Sequence, residues 1–255
     1  MAKSKARSGA SAPFNSRGMN SSQEQYVKCQ DCAMNPVCGP VVSGGSQLSL
    51  ADSYLTKRCA IQSGEQAFEK HAPLKDIFAV CSGVFKLCDQ NEIGEEKIVG
   101  FRFAGELLGD DAISPNRYNY KAIAIGKSSL CKVAMSQLVD CSKAVPNLQL
   151  QFISLLTKQN YLNHQGINAI VAKKTAESLL VAFLLNIAKR INASNEQTWQ
   201  FDLPMSRDDI ANFLGLRRET LSRILTKLQK GNLIMIQGKN MKLLNVDVLS
   251  RLANQ

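Results

Sequence analysis

Apolar side chains follow different rhythms along this chain, after an opening stretch that has none. In residues 1–24, Phe14 and two methionines stand among Ser, Ala, Gly, Asn and Lys. Such a segment cannot bury enough apolar surface to offset the entropy of ordering, so a disordered basic tail without assigned function is expected. Residues 41–145 carry short apolar runs separated by Gly, Pro, Asn and Asp. The runs cover 76–81, a Ser82-Gly83 turn, 84–88, a loop from Asp89 to Glu95, and 97–103. Their length and their β-branched and aromatic content predict antiparallel strands in a β-roll or sandwich. Short helices are expected over 46–55 and 136–142, the second ending ahead of Pro146.

From Asn147 the period lengthens to 3.6, through Leu148, Phe152, Leu155, Leu156, Leu162, Ile167, Ile170 and Val171. This predicts one long helix over 146–174, with Gly166 a soft point. A stripe of that length calls for a long partner, either a second copy of the helix across a dimer seam or the β domain of its own chain. No Asp or Glu lies between Leu148 and Ala176, so a seam would meet no carboxylate repulsion, although Lys158, Lys173 and Lys174 would repel if they faced it.

A further unit is expected over 175–255. Ala176 to Asn192 forms an apolar-faced helix, and a polar connection leads into Trp199–Leu203. Ser206-Arg207-Asp208-Asp209 has the form of an N-cap with an acid at the third helical position, opening a helix through Phe213. Gly215 supplies a tight turn, Arg217–Lys230 a second amphipathic helix, and Leu233–Leu244 a hairpin around Gly238-Lys239-Asn240. Two short helices joined at a Gly and followed by a hairpin predict a winged helix-turn-helix. The fold class is therefore α+β: an N-terminal antiparallel β-roll, a long helix and a C-terminal winged helix-turn-helix.

A formal net charge of +10 suits a polyanionic partner, and the winged unit adds the geometry for double-stranded DNA. In the second helix, positions 221, 224, 225 and 228 form the core stripe. Glu219, Ser222 and Arg223 share another face near the helix start, where base edges are met. Arg pairs with guanine O6 and N7, Glu accepts from cytosine N4, and Ser suits either kind of edge. Arg217, Arg218, Lys227, Lys239 and Lys242 are placed for phosphates. The plainer alternative is a solvated Glu219–Arg223 pair. No apolar run approaches a membrane span, since Leu179 to Ile191 is interrupted by Asn186, Lys189 and Arg190. Eight cysteines without an apolar leader point to a reducing cytoplasm.

The remaining chemistry lies in Lys28–Pro40. Cys29, Cys32 and Cys38 stand at a C-x2-C-x5-C spacing, in a segment too short and polar to bury them as core, so these thiols need a metal or each other. A four-ligand site needs one more thiol, and spacing leaves Cys59, Cys81, Cys88, Cys131 and Cys141 open.

Gly215-Leu216-Arg217-Arg218-Glu219-Thr220-Leu221-Ser222-Arg223, with the three cysteines upstream and Phe103-Ala104-Gly105-Glu106-Leu107-Leu108-Gly109 between, resembles the cyclic-AMP receptor superfamily. Within it the chain is similar to the oxygen-responsive fumarate-and-nitrate-reduction regulators, over about residues 28–250. The resemblance implies a cysteine-rich cluster-binding loop at 25–40, a β-roll sensor domain, a dimerisation helix at 146–174 that makes a homodimer, and Glu219, Ser222 and Arg223 as base readers. It also implies Cys131, within Ser128–Val133, as fourth ligand of one [4Fe-4S] cluster per subunit. Oxygen would convert that cluster to a smaller one, with loss of the dimer and of DNA binding. The operator would approximate TTGAT-N4-ATCAA, and the Asp89–Glu95 loop would either touch RNA polymerase or be a plain solvated turn. A structural zinc site typically has two pairs of close ligands, whereas three thiols in one loop with a distant fourth suit a cluster clamped against the β-roll. Nitric oxide as signal, or a zinc-stapled DNA-binding protein, are the alternatives.

Two departures from the family pattern matter. Arg217 stands where many members carry a capping Ser or Thr, and the long helix lacks the acids that oppose premature dimerisation, so its dimer should persist more than usual without the cluster. Cyclic-nucleotide binding is not expected, because Lys121-Ala122 stands where an Arg-Ser pair would meet the cyclic phosphate. Enzymatic activity is not expected either, since His71 and His164, both read as surface residues, provide no base beside a thiol or metal.

Overall fold

A computed structural model of the chain describes Cys32 and residues 57–90, 94–144, 147–171, 175–191 and 199–254. The basic tail, the helix expected over 46–55 and all of the 25–40 loop except Cys32 lie outside the described residues.

The apolar runs form strands where their periodicity places them: β3 is Asp76–Ser82, β4 Val84–Gln90 and β5 Glu96–Phe103. Around them lie β1 (Lys57–Ile61), β2 (Gln66–Phe68), β6 (Leu107–Leu108), β7 (Lys121–Ala124) and β8 (Ser128–Ala134). They make two four-stranded antiparallel sheets, ordered β1-β8-β3-β6 and β2-β7-β4-β5. Between the sheets Phe78, Val80 and Leu130 meet Phe85, Leu87, Ala122 and Ala124 in one apolar cluster. Strand β3 reads as a continuous apolar run because both of its faces are covered: Phe78 and Val80 point into the roll, while Ile77 and Ala79 lie beneath helices on the outer face. The Ser82-Gly83 turn requires its glycine, which has φ 80° and leaves no room for a Cβ beside Ser128.

Helix α1 (Met135–Ala144) follows β8, and α2 (Leu148–Val171) runs unbroken through Gly166. The α2 stripe is shared between two faces. Leu148 and Leu155 are buried against Ile77, Ala79, Leu107 and Val133 of the roll, whereas Leu150, Ile153 and Tyr161 stand exposed on the other side. Among the described residues, the inner face thus lies on its own β domain and the outer face is exposed.

The C-terminal part contains α3 (Ala176–Ile191), β9 (Gln200–Asp202), α4 (Arg207–Leu214), α5 (Arg218–Lys230), β10 (Ile234–Gln237) and β11 (Asn240–Leu243). A helix that the periodicity argument does not place, α6 (Val246–Ala253), closes it, capped by Asn245 Oδ1, which accepts from Val248 N–H at 3.2 Å. Its core is continuous with the roll, because Val84, Cys88, Ile98, Phe101 and Phe103 pack in the same cluster as α3, α4 and α5. The Phe101 and Phe213 rings meet edge to face at 5.3 Å. Arg190 at the end of α3 donates to both Glu106 carboxylate oxygens, at 2.8 and 2.6 Å, and to Phe101 O at 2.7 Å. Among the described residues no helix is long and apolar enough to cross a membrane.

Candidate DNA-reading surface and thiol site

Helix α4 starts on a capping box. Ser206 Oγ accepts from Asp209 N–H at 3.0 Å, and Asp209 Oδ2 accepts from Ser206 N–H at 3.2 Å. Gly215, with φ 66°, ends it in the left-handed region, and the chain re-enters a helix at Arg218. No side chain caps α5: Arg217 has the extended backbone of an N-cap residue but makes no capping hydrogen bond. Leu221, Ile224, Leu225 and Leu228 are buried as their spacing predicts. Consequently Glu219 and Arg223 project into solvent and Ser222 is half-buried beside them, all on the face away from the core.

The proposed phosphate ligands Arg217, Arg218, Lys227, Lys239 and Lys242 are all exposed. Two have partners within the chain. Arg218 Nη1 lies 3.3 Å from Asp208 Oδ2, and Lys227 Nζ donates to Glu177 Oε2 at 2.6 Å. Arg207 is not among the residues that the sequence pattern marks, yet its Nη1 donates to Ser222 Oγ at 3.2 Å. The first turn of α4 therefore contacts α5 at two points. A local signal exists for both, since Arg207 and Asp208 lie inside the recognised capping box.

The hairpin of β4 and β5 holds α4 from the other side. Lys86 Nζ donates to Asp209 Oδ1 at 2.9 Å. Strand β5 is an edge strand, and Asn212 meets its outward backbone groups: Asn212 Oδ1 accepts from Ile98 N–H at 2.7 Å and Asn212 Nδ2 donates to Glu96 O at 3.0 Å. Lys121 is committed to Glu96 Oε2 at 2.6 Å, and Ala122 is fully buried. Both His71 and His164 are exposed.

On the outer face of the first sheet, Cys131 of β8 stands opposite Arg58 of β1 and Ala79 of β3. Cys32 and Cys131 pack against one hydrophobic cluster, which also contains Leu138 of α1 and Leu148 and Leu155 of α2. The other candidate thiols separate. Cys59 packs on the interior cluster between the sheets. Cys88 is buried against the C-terminal part, where burial and its contact with Glu96 push its thiol up to about 12. Cys81, buried on β3, donates to Ala79 O at 3.8 Å; the neighbouring Cys131 together with burial drives its thiol far above the ordinary range, and Cys32 adds to the effect. Cys29, Cys38 and the side chain of Cys141 lie outside the described residues, among which no group of three or more His, Cys, Asp or Glu side chains is set to hold a metal.

Comparison with known proteins agrees with this geometry. A Crp-like helix-turn-helix domain matches residues 180–252, and a cyclic nucleotide-binding domain matches residues 58–144. The fumarate nitrate reduction regulatory protein of Klebsiella oxytoca is 34% identical over 229 residues, covering 90% of this chain and 91% of that protein. Its counterpart in Escherichia coli strain K12 is 34% identical over 227 residues, covering 89% and 90%. The chain belongs to the fumarate-and-nitrate-reduction regulators of the cyclic-AMP receptor superfamily. Solved structures similar to this family member carry the same fold. FixK2 from Bradyrhizobium japonicum superposes with a TM-score of 0.68 at 22% identity, over 78% of this chain and 97% of that one. A CRP-family transcriptional regulator from Thermus thermophilus gives 0.61 at 18% identity, over 77% and 97%. The family's regulators act in transcription, and this member has the helix-turn-helix with which to bind DNA.

Proposed function

We propose that the chain is a cytoplasmic, oxygen-sensing transcription regulator. As a homodimer through the outer face of α2, it binds a palindromic operator resembling TTGAT-N4-ATCAA and controls anaerobic or respiratory genes. Cys29, Cys32, Cys38 and Cys131 would hold one [4Fe-4S] cluster per subunit. When bound, that group supplies an oxygen-labile link between the cysteine loop and the roll. The donor set fits: Cys32 and Cys131 are far apart in sequence but share one apolar neighbourhood, and both sulfurs are the soft ligands such a group takes.

The observation that carries this reading is the membership of that neighbourhood. Leu148 and Leu155 of α2 pack in the same cluster as Cys32 and Cys131. A shift of the loop that moves Cys32 is therefore felt at the helix proposed to form the dimer, through packed side chains. At the other end Glu219, Ser222 and Arg223 are the base readers, and Arg217, Arg218, Lys227, Lys239 and Lys242 set the register on phosphates. Half-sites should lie about one helical turn apart. The Asp89–Glu95 loop is the proposed contact for RNA polymerase; Asp89 at its start is held by Lys70 at 2.6 Å. A cyclic nucleotide has no place in this reading, since Lys121, at the position where a cyclic phosphate would be met, is bound to Glu96.

Anaerobic purification with iron, sulfide and zinc assays tests the reading. About four iron and four sulfide per chain are expected, with the visible absorbance and operator binding both falling on exposure to air. Stoichiometric zinc without sulfide would overturn it.

A further inference from the structure

The turn between β5 and β6 joins the helix-turn-helix to α2. Gly105, with φ 90°, reverses the chain there, and its N–H donates to Val80 O at 2.8 Å while Glu106 O accepts from Val80 N–H at 2.9 Å, so the turn is fastened to β3. The next residue, Leu107, is fully buried in the cluster that contains Leu148 and Leu155 of α2. The Glu106 carboxylate meets three donors: Arg190 Nε at 2.8 Å, Arg190 Nη2 at 2.6 Å and Phe103 N–H at 3.0 Å. Arg190 also donates to Phe101 O at 2.7 Å, and its guanidinium lies over the Phe103 ring at 4.7 Å. A planar fork gripped along its edge and over one face is held in one orientation, and side chains only 20% and 14% exposed leave water little access to the pair. Behind Arg190, Leu180, Phe183, Leu184 and Ile187 of α3 share one core with the buried stripe of α5. Lys86 and Asn212 hold a different helix, α4. A body held at one place can pivot; held at two, it cannot.

We propose that Arg190 is a positioning residue for operator recognition: its bond to Glu106 fixes the reading helix relative to α2, and thereby the half-site spacing that the dimer accepts. The inference rests on the reading above, in which α2 forms the homodimer and the operator is a palindrome. One added base pair moves the second half-site by about 3.4 Å and turns it by about 35°. Two reading helices on rigid mounts cannot follow that displacement, whereas mounts with slack can. Base choice lies with Glu219, Ser222 and Arg223 on α5 and is separate from spacing.

The test titrates the full-length, anaerobically purified protein with palindromic operators whose spacer is that of TTGAT-N4-ATCAA or is shorter or longer by a single base pair. Wild type should bind the N4 operator best. In Arg190→Met the preference for it over the altered spacers should shrink roughly tenfold, with the preference among single-base variants of the half-sites unchanged. Glu106→Gln leaves one oxygen for three donors and should move the same way; it conserves size, and so carries the test if Arg190→Met does not fold. The double variant should go no further than Arg190→Met, because both changes remove one bond. Arg190→Lys, which keeps the charge and loses the fork, should lie between. Equal loss of affinity at every spacer would make the pair a structural support only and overturn the inference, as would additive effects in the double variant. Wild type that binds palindromes but all spacers alike would overturn the inference alone, and wild type that binds no palindrome would overturn the reading beneath it as well.

Discussion

Lys86 of the β-roll and Asp209 of the helix-turn-helix, far apart in sequence, meet at 2.9 Å with side chains only 22% and 17% exposed. Asp209 thus has two duties, capping α4 through Ser206 and fastening α4 to the roll. Burial alone would push its carboxyl up, but hydrogen bonds from Lys86 and Ser206 outweigh it and hold the group below the ordinary carboxylate range. Lys86 is shifted upward, because the bond to Asp209 outweighs its own burial. The Asp209 contribution to docking is present above the unfolded value near about 4 and is lost as pH falls through the lower folded one; that of Lys86 is present below about 10.4 and is lost as pH rises through its higher folded one. Lys86→Met should weaken docking by about 1.5–3 kcal/mol, the usual loss for a hydrogen bond to a charged group. Amide exchange at Ile98, whose N–H is bonded to Asn212, should quicken accordingly. Unchanged exchange would show that the remaining contacts, the aromatic rings and the Asn212 bonds among them, hold the two parts together without this pair.

Arg217 gives a prediction in which stability and affinity move in opposite directions. Its position is an N-cap without a capping bond. Arg217→Ser supplies a hydroxyl acceptor there and should stabilise the recognition helix by roughly 0.5–1 kcal/mol. The same change removes an exposed cation, so operator affinity should fall and the salt slope should shrink by about 1. Titration of operator DNA across a salt series, alongside thermal melts, reads both.

How much of this is legible in the sequence depends on whether the information is local. The strands over 76–81 and 84–88 announce themselves as short apolar runs, and Ser206 with Asp209 marks the start of α4 within four residues. Helix α6 carries a readable signal too, Asn245 ahead of apolar positions 246, 249, 252 and 253, but it is short and follows directly on the alternation of the hairpin. The Lys86–Asp209 and Arg190–Glu106 pairs join residues with no sequence periodicity between them, so only the fold reveals them. Cys81 belongs in the same class. Spacing leaves it among five candidates, and a register shift between Val80 and Ser82, which no composition rule locates, sets its place on β3. On α2 the stripe is visible but its division is not, because one helical period serves both the roll and the open face.

Asp110 provides a pH prediction of the opposite sign. Its Oδ1 is buried without a hydrogen bond, and Arg102 Nη2 stands 3.9 Å away. Burial raises its carboxyl, and the Arg102 charge offsets only part of that. The folded state therefore binds more protons than the unfolded one above about pH 4, and stability from this group declines as pH rises through the folded value. Asp110→Asn should flatten that decline and leave the β-roll at least as stable at neutral pH. Denaturation midpoints at pH 5 and pH 7 for both proteins decide the matter, an unchanged slope counting against a strained carboxylate.

Arg223 and Arg207 should separate base reading from support. Arg223→Ala removes an exposed side chain with bidentate geometry and should cost about 1–3 kcal/mol per half-site, with specificity relaxed at one base pair. Arg207→Ala removes the donor that holds Ser222 Oγ at 3.2 Å, so its effect should centre on the base met by Ser222. Binding to an operator library with single-base changes distinguishes the two patterns. If Arg223→Ala weakened all sequences equally, its assignment to bases would be wrong.

The outer face of α2 leads to the last prediction. Leu150, Ile153 and Tyr161 are 63%, 57% and 61% exposed, spaced at three and eight residues along one side of the helix. Apolar side chains repeated at that spacing on a helix whose other face is already covered suit a second copy. With no acid between Leu148 and Ala176, carboxylate repulsion across a twofold axis is absent, so the aerobic apoprotein should still sediment partly as a dimer at micromolar concentration. Ile153→Glu would place a carboxylate from each protomer in that seam while leaving the buried Leu148 and Leu155 face untouched. Dimer affinity should drop at least tenfold, about 1.4 kcal/mol, with the melting of the β-roll unchanged. Sedimentation that finds only monomer in the wild-type apoprotein would show that the outer stripe needs the intact thiol site to pair.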